Sequence, residues 1–217
     1  MDKVAIIEKT KEYVQTILAN HDASHDWWHI ERVCQMACYL AEKEEADLFF
    51  VKMAALLHDV DDWKFNQKNE VLKARNWLCH LQLPQSTINP VCYIIENVGF
   101  KGNGVPTNPP QSIEEAVVQD ADRLDAIGAI GIARAFSYGG YKKRPLYDPI
   151  ISSARHETFD QYKSQEGTTL NHFYEKLFLL KDKMHTHSAR EIAMERHVFM
   201  ENFVSQFLQE WNFSDNS

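Results

Sequence analysis

Long apolar runs are missing from this chain of 217 residues. No stretch approaches the ~20 apolar residues that a bilayer-spanning helix needs, so a membrane span is not expected. The first residues, MDKVAIIEKTKEYVQTIL, alternate charged and apolar groups at helical period and lack the uninterrupted apolar core of a secretory signal. Cysteine is scarce: Cys34, Cys38, Cys79 and Cys92 are the only four, and no two stand in CxxC spacing. That pattern gives neither a disulfide framework nor a thiolate metal cluster, and it suits a reducing, cytoplasmic setting. Positive charge is also short. Lys and Arg total 23 against 31 Asp and Glu, a formal charge of −8. Such a surface repels the phosphates of a nucleic-acid polymer. It leaves room for one small anion held by a metal and a local basic patch. Strand-like alternation of useful length and internal repeats are absent too, which points to an all-α fold.

What is present reads as helices joined by polar loops. Periodicity predicts helices over 3–19 (Val4, Ile7, Val14, Ile17 and Leu18 inward), from an Asp22 or Ser24 cap to about Glu45, and over 46–58, 68–81 and 86–97. GFKGNGVPTNPPQS is the clearest loop. A helix then opens at Ser112, with Glu115 three residues later as in a capping box, and runs to about Phe136. Residues 137–167 form a long irregular segment of the kind that often makes a lid or binding loop. Two last helices, about 169–184 and 188–211, carry stripes (Phe173, Leu177, Leu180; Ile192, His197 beside Phe199, Phe203, Phe207) that read as core. One domain over 1–217 is expected, with a core of about 20–137, a loop or lid at 138–167 and C-terminal helices at 168–213.

Four metal-binding side chains fall on helix faces that should point inward. His29 opens the stripe His29, Val33, Met36, Ala37, Leu40. His58 and Asp59 end the apolar helix containing Phe50, Val51, Ala54, Ala55 and Leu57. Asp122 lies between Val118 and Ala129 on a mostly small, apolar stripe. Buried carboxylates are costly without a cation or hydrogen bonds to compensate them. Two imidazoles and two carboxylates suit a borderline or hard divalent ion, with Mn the first choice and Mg, Ni, Co or Fe compatible. Four protein ligands leave positions open for water and substrate.

In their order, SHDWWHIERV, LLHDVDDWK and QDADRLDAIGAIGIAR resemble the H…HD…D signature of the HD-domain phosphohydrolase superfamily. The DADRLDAIGAIG helix and the TLNHFYEKL…KD tail extend the likeness to a small, single-domain bacterial subgroup, the YpgQ-like or YedJ-like proteins. The resemblance implies a helical fold, one divalent metal on His29, His58, Asp59 and Asp122, and hydrolysis of phosphate esters or anhydrides. For the subgroup it implies nucleoside triphosphates cut to monophosphate and pyrophosphate. The ADRL pattern places the last ligand at Asp122 rather than Asp120. Relatives with two metals carry extra histidines between the HD pair and the last Asp. Here that interval holds only His80, and Asn97 stands where some of them carry a histidine, which argues for one metal and against an oxygenase.

Relatives often have an acid at the position of Asp62, which is therefore the first candidate for the acid or base acting on water or the leaving group, with Asp61 second. Phosphate contacts fall to Arg32, Lys64, Arg123, Lys143 and Arg144, since guanidinium binds phosphate as a bidentate fork. His25, four residues before His29, is a candidate substrate or outer contact. Trp27, Trp28 and Trp63 flank these motifs, with core packing the default and base stacking the alternative. The expected partner is a small nucleotide; a homodimer is allowed but not indicated. The competing readings are another HD-type phosphomonoesterase or phosphodiesterase, and a catalytically idle HD fold that senses a nucleotide.

Overall fold

The computed structural model describes residues 2–19, 26–61, 72–99, 109–153 and 167–213. Among these residues every regular element is a helix and none is a strand, so the fold is all-α. No described helix is long and apolar enough to cross a membrane. The chain divides into two compact units, residues 1–100 with 109–122, and residues 101–108 with 123–217.

The first unit contains α1 (Lys3–Leu18), α2 (Trp27–Lys43), α3 (Leu48–Leu57), α4 (Leu72–His80), α5 (Gln85–Val98) and α6 (Ile113–Asp125) as far as Asp122. At its centre is α3. Phe49, Val51 and Met53 through Leu57 are all buried; the five consecutive residues from Met53 turn through more than a full circle, so the second half of the helix needs neighbours on every side. It finds them in α1, α2 and α5. Truncating Met53, Leu56 or Leu57, each with no exposed surface, to Ala costs ~2–5 kcal/mol on the usual cavity scale. The Asp47 carboxylate caps α3 by accepting the Phe49 N–H at 2.8 Å, and the helix stops at His58.

Two details of this unit depart from expectation. The buried row of α1 is Ile6, Thr10, Val14 and Leu18, while Val4 is exposed. A threonine can sit in that row because its hydroxyl donates to the Ile6 carbonyl at 2.8 Å and accepts the Trp77 indole N–H at 3.0 Å. The cap of α2 is Asp26, whose carboxylate accepts the His29 N–H at 2.9 Å; Asp22 and Ser24 lie outside the described residues. The capping box of α6 is present in modified form. Ser112 Oγ accepts the Glu115 N–H at 3.1 Å, and the Glu115 carboxylate reaches back to the N–H of Gln111 at 2.7 Å.

The second unit contains α7 (Gly128–Tyr141), α8 (Asn171–Glu175), a 3₁₀ segment (Leu177–Lys183) and α9 (His187–Asn212). The single helix expected from Ser112 to Phe136 is thus two, broken after Asp125. Gly128 starts α7 at φ +77°, and a Cβ there would stand 2.9 Å from Arg196 Cγ. The Asp125 carboxylate, paired with the Arg134 guanidinium at 2.6 Å, and the Leu124 carbonyl, accepting from Arg196, hold the break. The helix expected over 169–184 is also two elements. Leu177 and Leu180 are buried three residues apart, the 3₁₀ period. Phe136, Phe173, Phe203 and Phe207 form an aromatic cluster with centroids 5.9–6.2 Å apart, in which Phe173 is buried and the other three are half-buried rather than core. Phe199 is exposed, whereas His197 is buried.

The end of α7 turns through a Schellman motif. The N–H of Lys143 meets the Gly140 carbonyl at 3.0 Å, and that of Arg144 meets the Gly139 carbonyl at 2.9 Å. This places Lys143, a residue with a Cβ, in the left-handed region at φ 55°. Gly128 and Lys143 therefore predict opposite outcomes. Lys143→Gly should stabilise the protein by about 1 kcal/mol, and Gly128→Ala should destabilise it by more than that, because the new Cβ also meets Arg196. Denaturant midpoints of the two variants check both signs.

Candidate metal centre

The Asp26 cap sets where α2 begins and so puts His29 in its first turn. The ring faces inward at 2% exposure. His58 is the residue on which α3 ends, and Asp59 follows in the turn. Asp122 lies in the last turn of α6. All four donors stand at or near helix ends, where a side chain can project from a packed helix into the space just beyond it.

These side chains converge. His29 Nε2 lies 3.5 Å from Asp59 Oδ2 and 3.5 Å from Asp122 Oδ1. His58 Nε2 lies 3.5 Å from Asp59 Oδ1 and 3.9 Å from Asp122 Oδ1. The two imidazoles meet edge to face with centroids 5.4 Å apart. Both histidines are buried, and exposure rises through Asp59 (14%) to Asp122 (26%), so the cluster opens on the Asp122 side. Among the described residues, His29, His58 and Asp59 are the group of three whose ligand atoms lie within 4.8 Å of one another.

The spacing fits a shared divalent ion. Two donor atoms each ~2.1 Å from one ion, the usual bond length to imidazole and carboxylate, lie ~3.0–3.9 Å apart at angles of about 90–135°. Direct imidazolium–carboxylate hydrogen bonds would be shorter, about 2.7–2.9 Å. The tautomer fits as well. His58 Nδ1 is 2.7 Å from the Ala55 carbonyl, which can only accept, so Nδ1 carries a proton and Nε2 is the nitrogen turned toward the carboxylates. That is the nitrogen whose lone pair a neutral ring offers to a cation held between it and the anionic oxygens. The donor set itself, two nitrogens and two oxygens with no sulfur, suits Mn, Fe, Co, Ni or Mg.

The other residues singled out in the sequence are scattered. Arg32 is half-buried on α2, three residues beyond His29. Asp61 Oδ1 and Oδ2 accept the backbone N–H groups of Lys73 and Ala74, at 3.0 and 2.9 Å. Both of its oxygens thus face the start of α4. Arg123 is buried and donates to the Lys183 carbonyl at 2.7 Å within the second unit. Lys143 is exposed; Arg144 is half-buried, its guanidinium 5.9 Å from the centre of the Tyr138 ring. His25, Asp62, Trp63 and Lys64 lie outside the described residues. Trp28, for which core packing was the default, is instead 64% exposed on α2 beside His29. Sequence reasoning missed the Ala55 carbonyl and the Asp61 cap. The first carries no side-chain signal, and the second links positions twelve residues apart.

Comparison with known proteins agrees with this arrangement. The model of the HD domain family matches residues 27–127, a span that holds all four converging side chains. YpgQ of Bacillus subtilis, an uncharacterised protein, is 40% identical over 208 residues, covering 95% of this chain and 94% of its own. A solved HD-superfamily hydrolase from Bacillus thuringiensis is 44% identical, with a TM-score of 0.78 over 97% of this chain and 99% of that one. The crystal structure of B. subtilis YpgQ in complex with ADP superposes with a TM-score of 0.76 at 39% identity, over 97% of this chain and 96% of that one. Likeness of this degree, sustained along the whole chain, makes this protein a member of the HD domain family and of its YpgQ-like subgroup.

Proposed function

We propose that the protein is a metal-dependent phosphohydrolase that cuts nucleoside triphosphates to the monophosphate and pyrophosphate. The observation that carries this reading is the convergence of two buried imidazoles and two carboxylates, with the tautomer of His58 fixed by Ala55, at spacings suited to one divalent ion. A hydrolase among the close relatives and ADP bound to another support a nucleotide substrate.

His29, His58, Asp59 and Asp122 would hold the ion, with Mn the first choice. Once bound, it supplies Lewis acidity and lowers the pKa of water from ~15.7 toward ~7. The protein's own groups do the rest. In the proposed reaction water adds at the α-phosphorus and the bridging oxygen leaves with pyrophosphate. With Asp61 committed to α4, Asp62 is the proposed group that takes the proton from water or returns one to the leaving oxygen. Arg32, one turn from His29, is the proposed phosphate contact. The exposed Trp28 indole offers a face on which the base can stack. Mn, which tolerates both imidazole and carboxylate, and the cytoplasmic setting inferred from cysteine usage complete the reading.

The test is a panel of ribo- and deoxynucleotides with Mn, scored for pyrophosphate and orthophosphate separately. Pyrophosphate release from triphosphates is the expected result. Orthophosphate alone would mean that a different bond is cut, and no release from any nucleotide would sink the reading. Asp59→Ala should abolish metal retention, measured by elemental analysis at about one equivalent in the parent, while circular dichroism keeps its helical signal. Asp62→Asn should keep the metal and lower turnover by ~10²–10⁴, the scale of a general acid–base group.

A further inference from the structure

The His58–Asp61 turn is tethered at both ends. At its start the His58 ring is bonded to the Ala55 carbonyl of α3. At its end Asp61 takes two N–H groups in the first turn of α4, one on each carboxylate oxygen. Between them Val60 is buried, and its N–H meets the Leu57 carbonyl at 3.3 Å. Asp59 therefore hangs on a turn of four residues whose two ends are bonded to different helices.

The second anchor is itself fixed. Trp77 of α4 stacks on Tyr13 of α1, with ring centroids 3.9 Å apart and planes 5° from parallel. Its indole N–H donates to Thr10, and His80 covers the ring at 5.5 Å. Asp61 faces this same layer: the Tyr13 hydroxyl has a raised pKa, first from burial and then from the Asp61 charge. From α1 through Trp77 and α4 to Asp61, a continuous path of contacts reaches to within two residues of Asp59.

Building on the metal reading above, we propose that Asp61 is a positioning residue: by bonding the first turn of α4 it holds the Asp59 carboxylate where the two imidazoles meet it. Its contribution is the placement of two acceptor oxygens rather than negative charge near the ion. This distinguishes it from Asp62, which is proposed to move protons.

Mn(II) titration by calorimetry on the metal-free protein tests this, together with denaturant unfolding of the same samples. Asp61→Ala, and Asp61→Glu as a second variant that keeps the charge but displaces both oxygens, should weaken Mn(II) binding ~10-fold or more, the usual scale for a group that orients a metal ligand. Asp61→Asn keeps one acceptor but turns an amide NH2 toward the other N–H, so it should weaken binding less than Asp61→Ala does. Leu78→Ala, a cavity in the buried face of α4 away from the two N–H groups that Asp61 accepts, loosens the helix with that anchor intact; it should lower the denaturant midpoint and leave the Mn(II) constant within about 2-fold. Parent-like binding by Asp61→Ala would make Asp61 a helix cap only and overturn the proposal. Parent-like binding by Asp61→Glu together with loss in Asp61→Asn would overturn it in favour of charge. Equal weakening by Leu78→Ala would overturn it in favour of general loosening. A parent that takes up no divalent ion would bring down the metal reading itself, whereas these three outcomes leave that reading standing.

Discussion

A buried imidazole can turn a lone pair toward a ligand only if its other nitrogen keeps the ring proton and donates it to an acceptor elsewhere. In this protein the Ala55 carbonyl makes that possible for His58. The bond comes from the final turn of α3, where Met53 through Leu57 are all buried, so the orientation of the ring is fixed by the same packing that fixes the core. Remove that constraint and the ring could present either nitrogen, or bond a carboxylate directly at a shorter distance. The open spacing of the cluster depends on it.

The remaining donors follow the same economy of means. His29 is placed by a capping bond to its own backbone N–H, Asp59 by a turn tied at both ends, and Asp122 by a helix whose start is fastened through Ser112 and Glu115. In each case hydrogen bonds at or near a helix end set the geometry. Burial then does the electrostatic part, since two histidines at 2% side-chain exposure bind or repel charge more strongly than they would in water.

The all-α class and the convergence of α2, α3 and α6 were legible in the sequence because helical period reports which face turns inward, and His29, His58 and Asp122 interrupt otherwise apolar or small stripes. The break after Asp125 was not. Ala126, Ile127 and Gly128 continue the pattern, and only the positive φ of Gly128 shows that the chain turns there. On α1, Val14 and Leu18 are buried as read, but Ile6 and Thr10 were missed and Val4 was misread, because Thr10 looks polar until its hydroxyl is seen satisfied from both sides. Trp28 was misread in the opposite sense, as an aromatic ring assumed to be core. The bonds of Asp61 to the start of α4 were not legible either, because they lie beyond the reach of local pattern.

Because the donors sit at helix ends, the register of the chain becomes a design variable of the site. α3 spans ten residues between the Asp47 cap and His58. One residue inserted between them would rotate the next side chain by about 100° and advance it by ~1.5 Å. An insertion ahead of Ala55 would carry His58 off the face it shares with His29 with its bond to the Ala55 carbonyl intact, since that bond spans only three residues, while the buried run from Met53 to Leu57 would still present apolar surface on every side. The fold would survive such an insertion far better than the site would.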